Sequence, residues 1–263
     1  MRYIRLIVQF VRASLQQEIA YRANFFINIL NTLLNFVTGL LGLVVLFGQV
    51  EAVNGWSFAA TLALLGVYLT LGALRRLFIG PSLDSLAGME GDIWTGTFDF
   101  TLLRPVDVQF LVSFRQWQPL ALLDLALGLG TLGVAAARLG AALTLAQLAS
   151  FVIALAAGVT ILYAILLAFA GLVVWSPGFL FTWVFDALFQ MARYPVGIYP
   201  AWLRLALTWV VPVGVMTTIP ARAFSGDLPG TTLLGAVVFA GAAFCGATVF
   251  FRAGLRRYAS ASS

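Results

Sequence analysis

The sequence predicts an all-α, polytopic membrane protein with six transmembrane helices. It adds an N-terminal interfacial helix, a polar cytoplasmic helix and an extracellular re-entrant helical segment. Three observations predict it. Hydrophobic residues make up 62% of the chain and charged residues 10%, against about 25% charged in a soluble domain. So apolar a chain could not clothe a water-facing surface. The apolar residues fall into runs near the roughly 20 residues that cross a bilayer. The arginines collect at the ends of alternate runs, as the positive-inside bias requires.

Residues 1–22 come first. Arg2, Arg5, Gln9, Arg12 and Gln16 recur at spacings of three and four, which is one face of a helix, while Ile4, Leu6, Ile7, Phe10, Val11 and Leu15 fall mostly elsewhere. A basic stripe on an apolar body suits a helix lying in the headgroup plane. A signal peptide fits less well, because arginines interrupt the apolar run.

Residues 23–48 supply the first span, and Glu51, Asn54 and Gly55 mark a short turn. The second span, 57–76, ends at Arg75-Arg76. A polar segment, 80–107, follows. The third span occupies 115–137, with Arg138-Leu139-Gly140 turning the chain. The fourth, 143–174, is over-long and accommodates by tilting or by running past the bilayer. A short fifth, 178–193, precedes the stretch 194–222, which Pro195, Pro200 and Pro212 interrupt. Irregular backbone at membrane depth must be covered by protein or line a wet cavity, so 194–222 reads as re-entrant helices at the outer mouth. The sixth span is 231–252. Gly128, Gly130, Gly133, Gly235 and Gly246 are small enough for close approach between spans.

Arginine placement decides between six spans and seven. Six, with the N-terminus inside, leave only Arg138, Arg193, Arg204 and Arg222 of the fifteen arginines outside. Seven would move Arg252, Arg256 and Arg257 to the outer face, against the bias.

Absences remove most enzyme classes. The chain has no His, one Cys and no Lys, since all fifteen basic residues are Arg. Structural zinc sites, His-based triads, a disulfide within the chain and Schiff-base chemistry are excluded. A Walker A loop needs its Lys on the nucleotide phosphates, so this chain carries no such ATP site. The net charge of +5 is scattered over the ends of apolar runs. It forms no basic stripe for nucleic acid and suits lipid headgroups.

The polar segment holds five of the ten carboxylates: Asp84, Glu90, Asp92, Asp99 and Asp107. Pro81 can open a helix, since its missing N–H costs nothing in a first turn, and Asp84 there would complement the helix dipole. Leu83, Leu86 and Met89 fall three apart, giving one apolar face with Glu90 and Asp92 at its rim. The rival reading is a solvated loop. Asp99 and Arg104 are spaced for a local ion pair ahead of Pro105, which would fix the entry of the third span. Asp124 and Asp186 lie inside apolar runs, where an ionisable group is expensive and marks a functional candidate. Either attracts a cationic substrate or a proton, or links to an Arg or hydroxyl on a neighbouring helix.

The order of elements resembles the permease of type-2 ABC exporters. The stretches LQQEIAYRANFF (15–26), GWS (55–57), GTFDFTLLRPVDVQF (96–110) and YPVGIYPAWLR (194–204) are similar to the uncharacterised, viologen-exporter-like branch of that superfamily. The resemblance covers essentially the whole chain, and Gly96-x-x-Asp99-Phe100-x-Leu102-Leu103-Arg104-Pro105 is its most distinctive piece.

The resemblance implies a non-catalytic permease in the cell (inner or plasma) membrane, both termini cytoplasmic, exporting a hydrophobic or amphipathic molecule, drug-like cations included. It implies that this chain binds no cofactor, and that ATP and Mg sit on partner ABC ATPase subunits. A second permease chain, identical or different, completes the membrane half, with lipids around it and no nucleic acid. It implies a helix over 81–93 as the ATPase-coupling interface, built by Asp84, Leu86, Met89, Glu90, Asp92 and Ile93 and braced by Gly96, Asp99, Arg104 and Pro105. Charging Leu86 and Met89 together is then expected to uncouple transport. It leaves Asp124 and Asp186 as candidates for the substrate pathway. A gradient-driven secondary transporter would show inverted repeats and more midplane charge, and a scaffold would not transport at all.

Overall fold

A computed structural model describes residues 2–20, 22–140, 143–176 and 181–258 of the chain. The elements are α1 (Arg2–Ala20), α2 (Arg22–Phe47), a minimal hairpin β1 (Ala52–Val53) and β2 (Trp56–Ser57), α3 (Phe58–Leu74), α4 (Gly80–Asp84), α5 (Phe98–Leu102) and α6 (Val108–Phe114). Then come α7 (Leu122–Leu139), α8 (Leu145–Val173), α9 (Phe181–Met191), α10 (Ala201–Leu205), α11 (Val213–Ser225) and α12 (Gly230–Arg257). The fold is all-α, and among the described residues five helices are long and apolar enough to cross a bilayer by length and composition, or six if one bent pair counts as a span.

Two helix pairs make the frame. α3 packs antiparallel on α7, with Phe58 beside Arg138 at one end and Thr70 against Gly128 further along. A Cβ on Gly128 would stand 2.8 Å from the Thr70 backbone N, so this crossing requires glycine. Gly130, Gly133, Gly235 and Gly246 face open space and close no interface among the described residues. α8 and α12 run parallel: Tyr163 meets Phe244, and Trp175 meets Phe250. α3 is buried along most of its length and forms the centre, whereas α2 and α12 leave apolar faces outward. An apolar exterior is stable only where lipid is the solvent.

Parallel α8 and α12 require the chain to cross back between them. α9 begins that crossing, with Phe185 against Phe169 late in α8 and Phe189 stacked on Tyr68 of α3. Its 11 residues rise only about 16 Å, roughly half the hydrocarbon thickness. Irregular backbone completes the passage, reaching Gly197, whose carbonyl accepts from the Asn54 amide at 2.8 Å in the hairpin turn. The expected span 178–193 is therefore helical only over Phe181–Met191 among the described residues, and 178–180 lie outside them.

Next, Ala201–Val210 and Val213–Ser225 meet at 88°. The break falls at Pro212, which cannot donate a backbone hydrogen bond. Arg222 returns over the Trp56 ring of the hairpin, and Gly226 sits against Gln147 in the first turn of α8. The bent pair thus begins and ends at the hairpin end of the bundle, which is a re-entrant path.

The hairpin itself extends what the turn at 51–55 suggested. Asn54 and Gly55 both have positive φ (49° and 80°), which a two-residue primed turn requires.

α1 turns Leu6, Ile7, Phe10 and Val11 partly inward and leaves Arg5, Gln9, Arg12 and Gln16 exposed. Two polar anchors hold it. The Trp117 N–H donates to Ser14 Oγ at 3.1 Å and the Leu120 N–H donates to Glu18 Oε2 at 3.2 Å. These donors precede α7 and have no partner in a preceding turn. Burial raises the Glu18 carboxyl pKa, and the Leu120 N–H pulls it back down. Glu18→Ala is expected to lower stability by about 1 kcal/mol, read as a lower thermal midpoint in detergent. Glu18→Gln keeps an acceptor and is expected to stay near wild type.

Candidate functional site

The polar segment departs from the expected helix over 81–93. α3 does not stop at Arg76; it continues through a π-helical turn, Arg75–Ile79, into α4 and ends at Asp84. Pro81 explains the altered turn. With no N–H to give to the carbonyl four residues back, it frees Leu77 O, which accepts instead from the Gln118 N–H at 3.0 Å. Pro81 therefore sits inside a continuing helix and does not open a new one. After Asp84 the chain folds into turns, with Gly88 and Gly96 at φ of 85° and 74°. These left-handed positions favour glycine, and they set where the side chains between them point.

That folding reverses part of the expected interface. Leu86 is only 1% exposed and Ile93 4%, both within the protein's own core alongside Leu83. They cannot seat in a partner's groove. Met89 (75% exposed) and Glu90 do face out, as do three apolar residues that helical spacing did not single out: Trp94, Phe100 and Leu103, the last 81% exposed. Trp94 was hidden by assuming a helix. Phe100 and Leu103 lay in the stretch read as a brace, and their signal was large apolar side chains within an otherwise polar segment. Asp99 opens α5 beside Tyr258, which also packs on Phe98. Burial, with Asp99 adding to it, pushes the Tyr258 phenol up to about 12. The expected Asp99–Arg104 pair does not form: Arg104 is exposed and pairs with no carboxylate among the described residues. Pro105 lies exposed in the turn before α6, whose N-terminus Asp107 caps by accepting from the Phe110 N–H at 2.9 Å.

Arg115, just beyond α6, ties the turns together. Its guanidinium pairs with Asp92, donates to Ser85 Oγ at 3.0 Å and reaches Thr101 Oγ1 at 3.4 Å. Asp92 in turn accepts from Thr97 Oγ1 at 3.0 Å. Ser82 Oγ accepts from the Gln116 N–H at 2.6 Å, fixing α4 to the same strand of chain. A planar fork reaching three points is a task lysine cannot copy. Arg115→Ala is expected to cost about 2 kcal/mol and to raise protease cleavage between 85 and 101, while Arg115→Lys recovers only part of the loss.

Behind the polar segment lies a charge cluster. Arg75 pairs with Asp84 at 3.5 Å and with Asp186 of α9, and its guanidinium lies 5.2 Å from the centroid of the Phe185 ring. Arg76 pairs with Asp124 of α7 at 2.5 Å. The two intramembrane carboxylates singled out by sequence thus come together. With both arginines they line one cavity of about 250 Å³ between α2, α3, α7 and α9, which Tyr68 and Phe189 also face. Of the two alternatives read from the sequence, both carboxylates take the link to an Arg on a neighbouring helix, and the adjacent Arg75 and Arg76 each take one. A second cavity of about 500 Å³, almost wholly apolar, shares Phe36 and Leu127 with the first and runs to Phe58 and Arg138 at the hairpin end.

Helices that expose apolar faces, a re-entrant pair at one end and a folded polar segment at the other mark an integral membrane protein. The chain belongs to the ABC-2 family: the family described as ABC-2 family transporter protein matches residues 33–262. Members are membrane components of transport systems, and membership implies an ABC ATPase partner. No curated protein and no solved structure matches the chain.

Proposed function

We propose that this chain is the permease subunit of an ATP-driven exporter whose ATPase docks on the face formed by Met89, Glu90, Trp94, Phe100 and Leu103. One observation carries the reading: four large apolar side chains stand exposed on a cross-braced segment at the end of the central helix α3. Such a patch on an ordered frame marks a contact site. ATP and Mg sit on the partner, since this chain lacks the Lys of a Walker A loop. The arginine distribution supports a cytoplasmic position for this segment and both termini, in the cell membrane, and a second permease chain, alike or different, would complete the unit.

The substrate is a hydrophobic or amphipathic molecule, cations included, as the viologen-exporter-like resemblance implies. The two adjoining cavities support this, since one offers Asp124 and Asp186, with their arginines, beside the aromatic rings of Tyr68 and Phe189, and the other is apolar. The test is co-purification with an ABC ATPase and vesicle ATPase activity that requires this chain. A screen for compounds that stimulate that ATPase then finds the substrate. An ATPase that neither binds nor responds to the chain overturns the reading.

A further inference from the structure

A third cavity lies outside the route above. It has a volume of about 540 Å³, within the range of small-molecule sites, and is walled by α6, α8, α12 and the π-helical turn. Phe78, Phe110, Phe114, Tyr163 and Phe244 give it an aromatic lining. It opens sideways, past half-buried Thr160 and exposed Phe244, toward the surroundings of the bundle.

Its polarity runs along one helix face. Phe244, Thr248, Arg252 and Arg256 succeed each other four residues apart on α12, so they stand in one row. From Phe244 to Arg252 the row covers about 12 Å, passing from an aromatic wall to a pair of cations near the helix end. Arg252 is only loosely paired, by a carboxylate that also lines the cavity. Its partner Asp107 stands 3.8 Å away, beyond hydrogen-bond length, and the other oxygen of Asp107 caps α6. Arg256 and Arg257 add positive charge in the last turn. Between the two ends sits an incomplete polar network. The Gln109 amide donates to Tyr163 Oη and Thr248 Oγ1, both at 3.2 Å, and Ser113 and Tyr163 share a hydrogen bond of 2.8 Å. Gln109 Oε1 is buried with no partner among the described residues. A buried acceptor without a donor is costly.

From this we infer that the cavity is a binding site for one anionic phospholipid of the leaflet on the Arg252 side. The acyl chain lies among Phe78, Phe110, Phe114 and Phe244, the phosphate meets Arg252 and Arg256, and the glycerol ester region passes the Gln109, Tyr163 and Thr248 network between them. The charge favours an anionic head, and the length and lateral mouth favour a molecule supplied from the bilayer. The inference rests on the membrane setting alone and not on the ATPase reading.

The purified full chain in detergent is titrated with fluorescent phosphatidylglycerol and, in parallel, phosphatidylcholine. Phosphatidylglycerol is expected to bind about fivefold tighter, the effect of one well-placed arginine. Arg252→Gln is expected to remove that preference, while Arg204→Gln, exposed on α10 and lining none of these cavities, leaves it intact. Thr160→Trp, which narrows the mouth from its half-buried wall, is expected to weaken both lipids with an unchanged unfolding midpoint. The inference is overturned by equal binding of the two lipids to the wild type, by wild-type behaviour of both Arg252→Gln and Thr160→Trp, or by full competition from glycerol phosphate, which has no acyl chain. Loss of ATPase coupling bears on none of these readouts.

Discussion

Arg75→Ala is expected to be the most damaging single substitution in the membrane-embedded part, costing about 3 kcal/mol. The arginine side chain is only 12% exposed and holds two carboxylates, Asp84 from the end of α4 and Asp186 from α9. Removing it leaves both charges without their cation. One oxygen of Asp84 is already buried without a partner, so that carboxylate has no second support. Asp186 is partly exposed, which keeps the figure at the lower end of what breaking a buried pair costs. The cost comes mainly from the orphaned charges, since a buried ion pair gains little over a well-packed apolar replacement. Arg75→Met combined with Asp84→Asn and Asp186→Asn is therefore expected to recover most of the lost thermal midpoint. If Arg75→Ala alone melts with the wild type, the cluster does not hold α9 to α3. Because the cluster joins the polar segment to the irregular crossing, the triple variant is expected to fold and yet transport poorly. Restored stability without restored transport separates holding from transmitting.

The sequence made the spans legible because apolar runs of about twenty residues have few alternatives. It also marked Asp124 and Asp186, because a carboxylate within such a run is conspicuous. It did not show that α9 is a partial helix, since Phe181–Met191 looks as apolar as a short span and the crossing depends on packing against Tyr68 and Phe169. The Asn54-Gly55 pair carried a hairpin signal that the reading as a mere turn left unused. The polar segment was the hardest part. Whether Leu86 faces a partner or the core depends on where the chain turns after Asp84. That is set by left-handed Gly88 and Gly96 and by an arginine 30 residues further on. Helical spacing assigns faces only while the helix continues, and here it stops two residues before Leu86. The Leu77 carbonyl freed by Pro81 was equally invisible, because its donor, Gln118, comes from the far side of the segment.

Charging the exposed face is expected to separate docking from folding. Met89→Asp with Leu103→Asp places two carboxylates on side chains that already stand exposed on a polar segment, so the permease is expected to express, insert and melt as the wild type does. If each position is a docking hot spot worth about 2 kcal/mol, the pair weakens ATPase binding roughly a thousandfold. Chain-dependent ATPase activity is then lost. Leu86→Asp behaves in the opposite way. It buries a charge in a side-chain position that is 1% exposed, and is expected to lower stability by several kcal/mol, with loss of the folded protein before any question of coupling arises. Charging Leu86 along with Met89 would therefore confuse misfolding with uncoupling. A double variant of Met89 and Leu103 that binds and stimulates the ATPase normally would mean that the ATPase grips some other part of the chain. The apolar face between 89 and 103 would then need another partner.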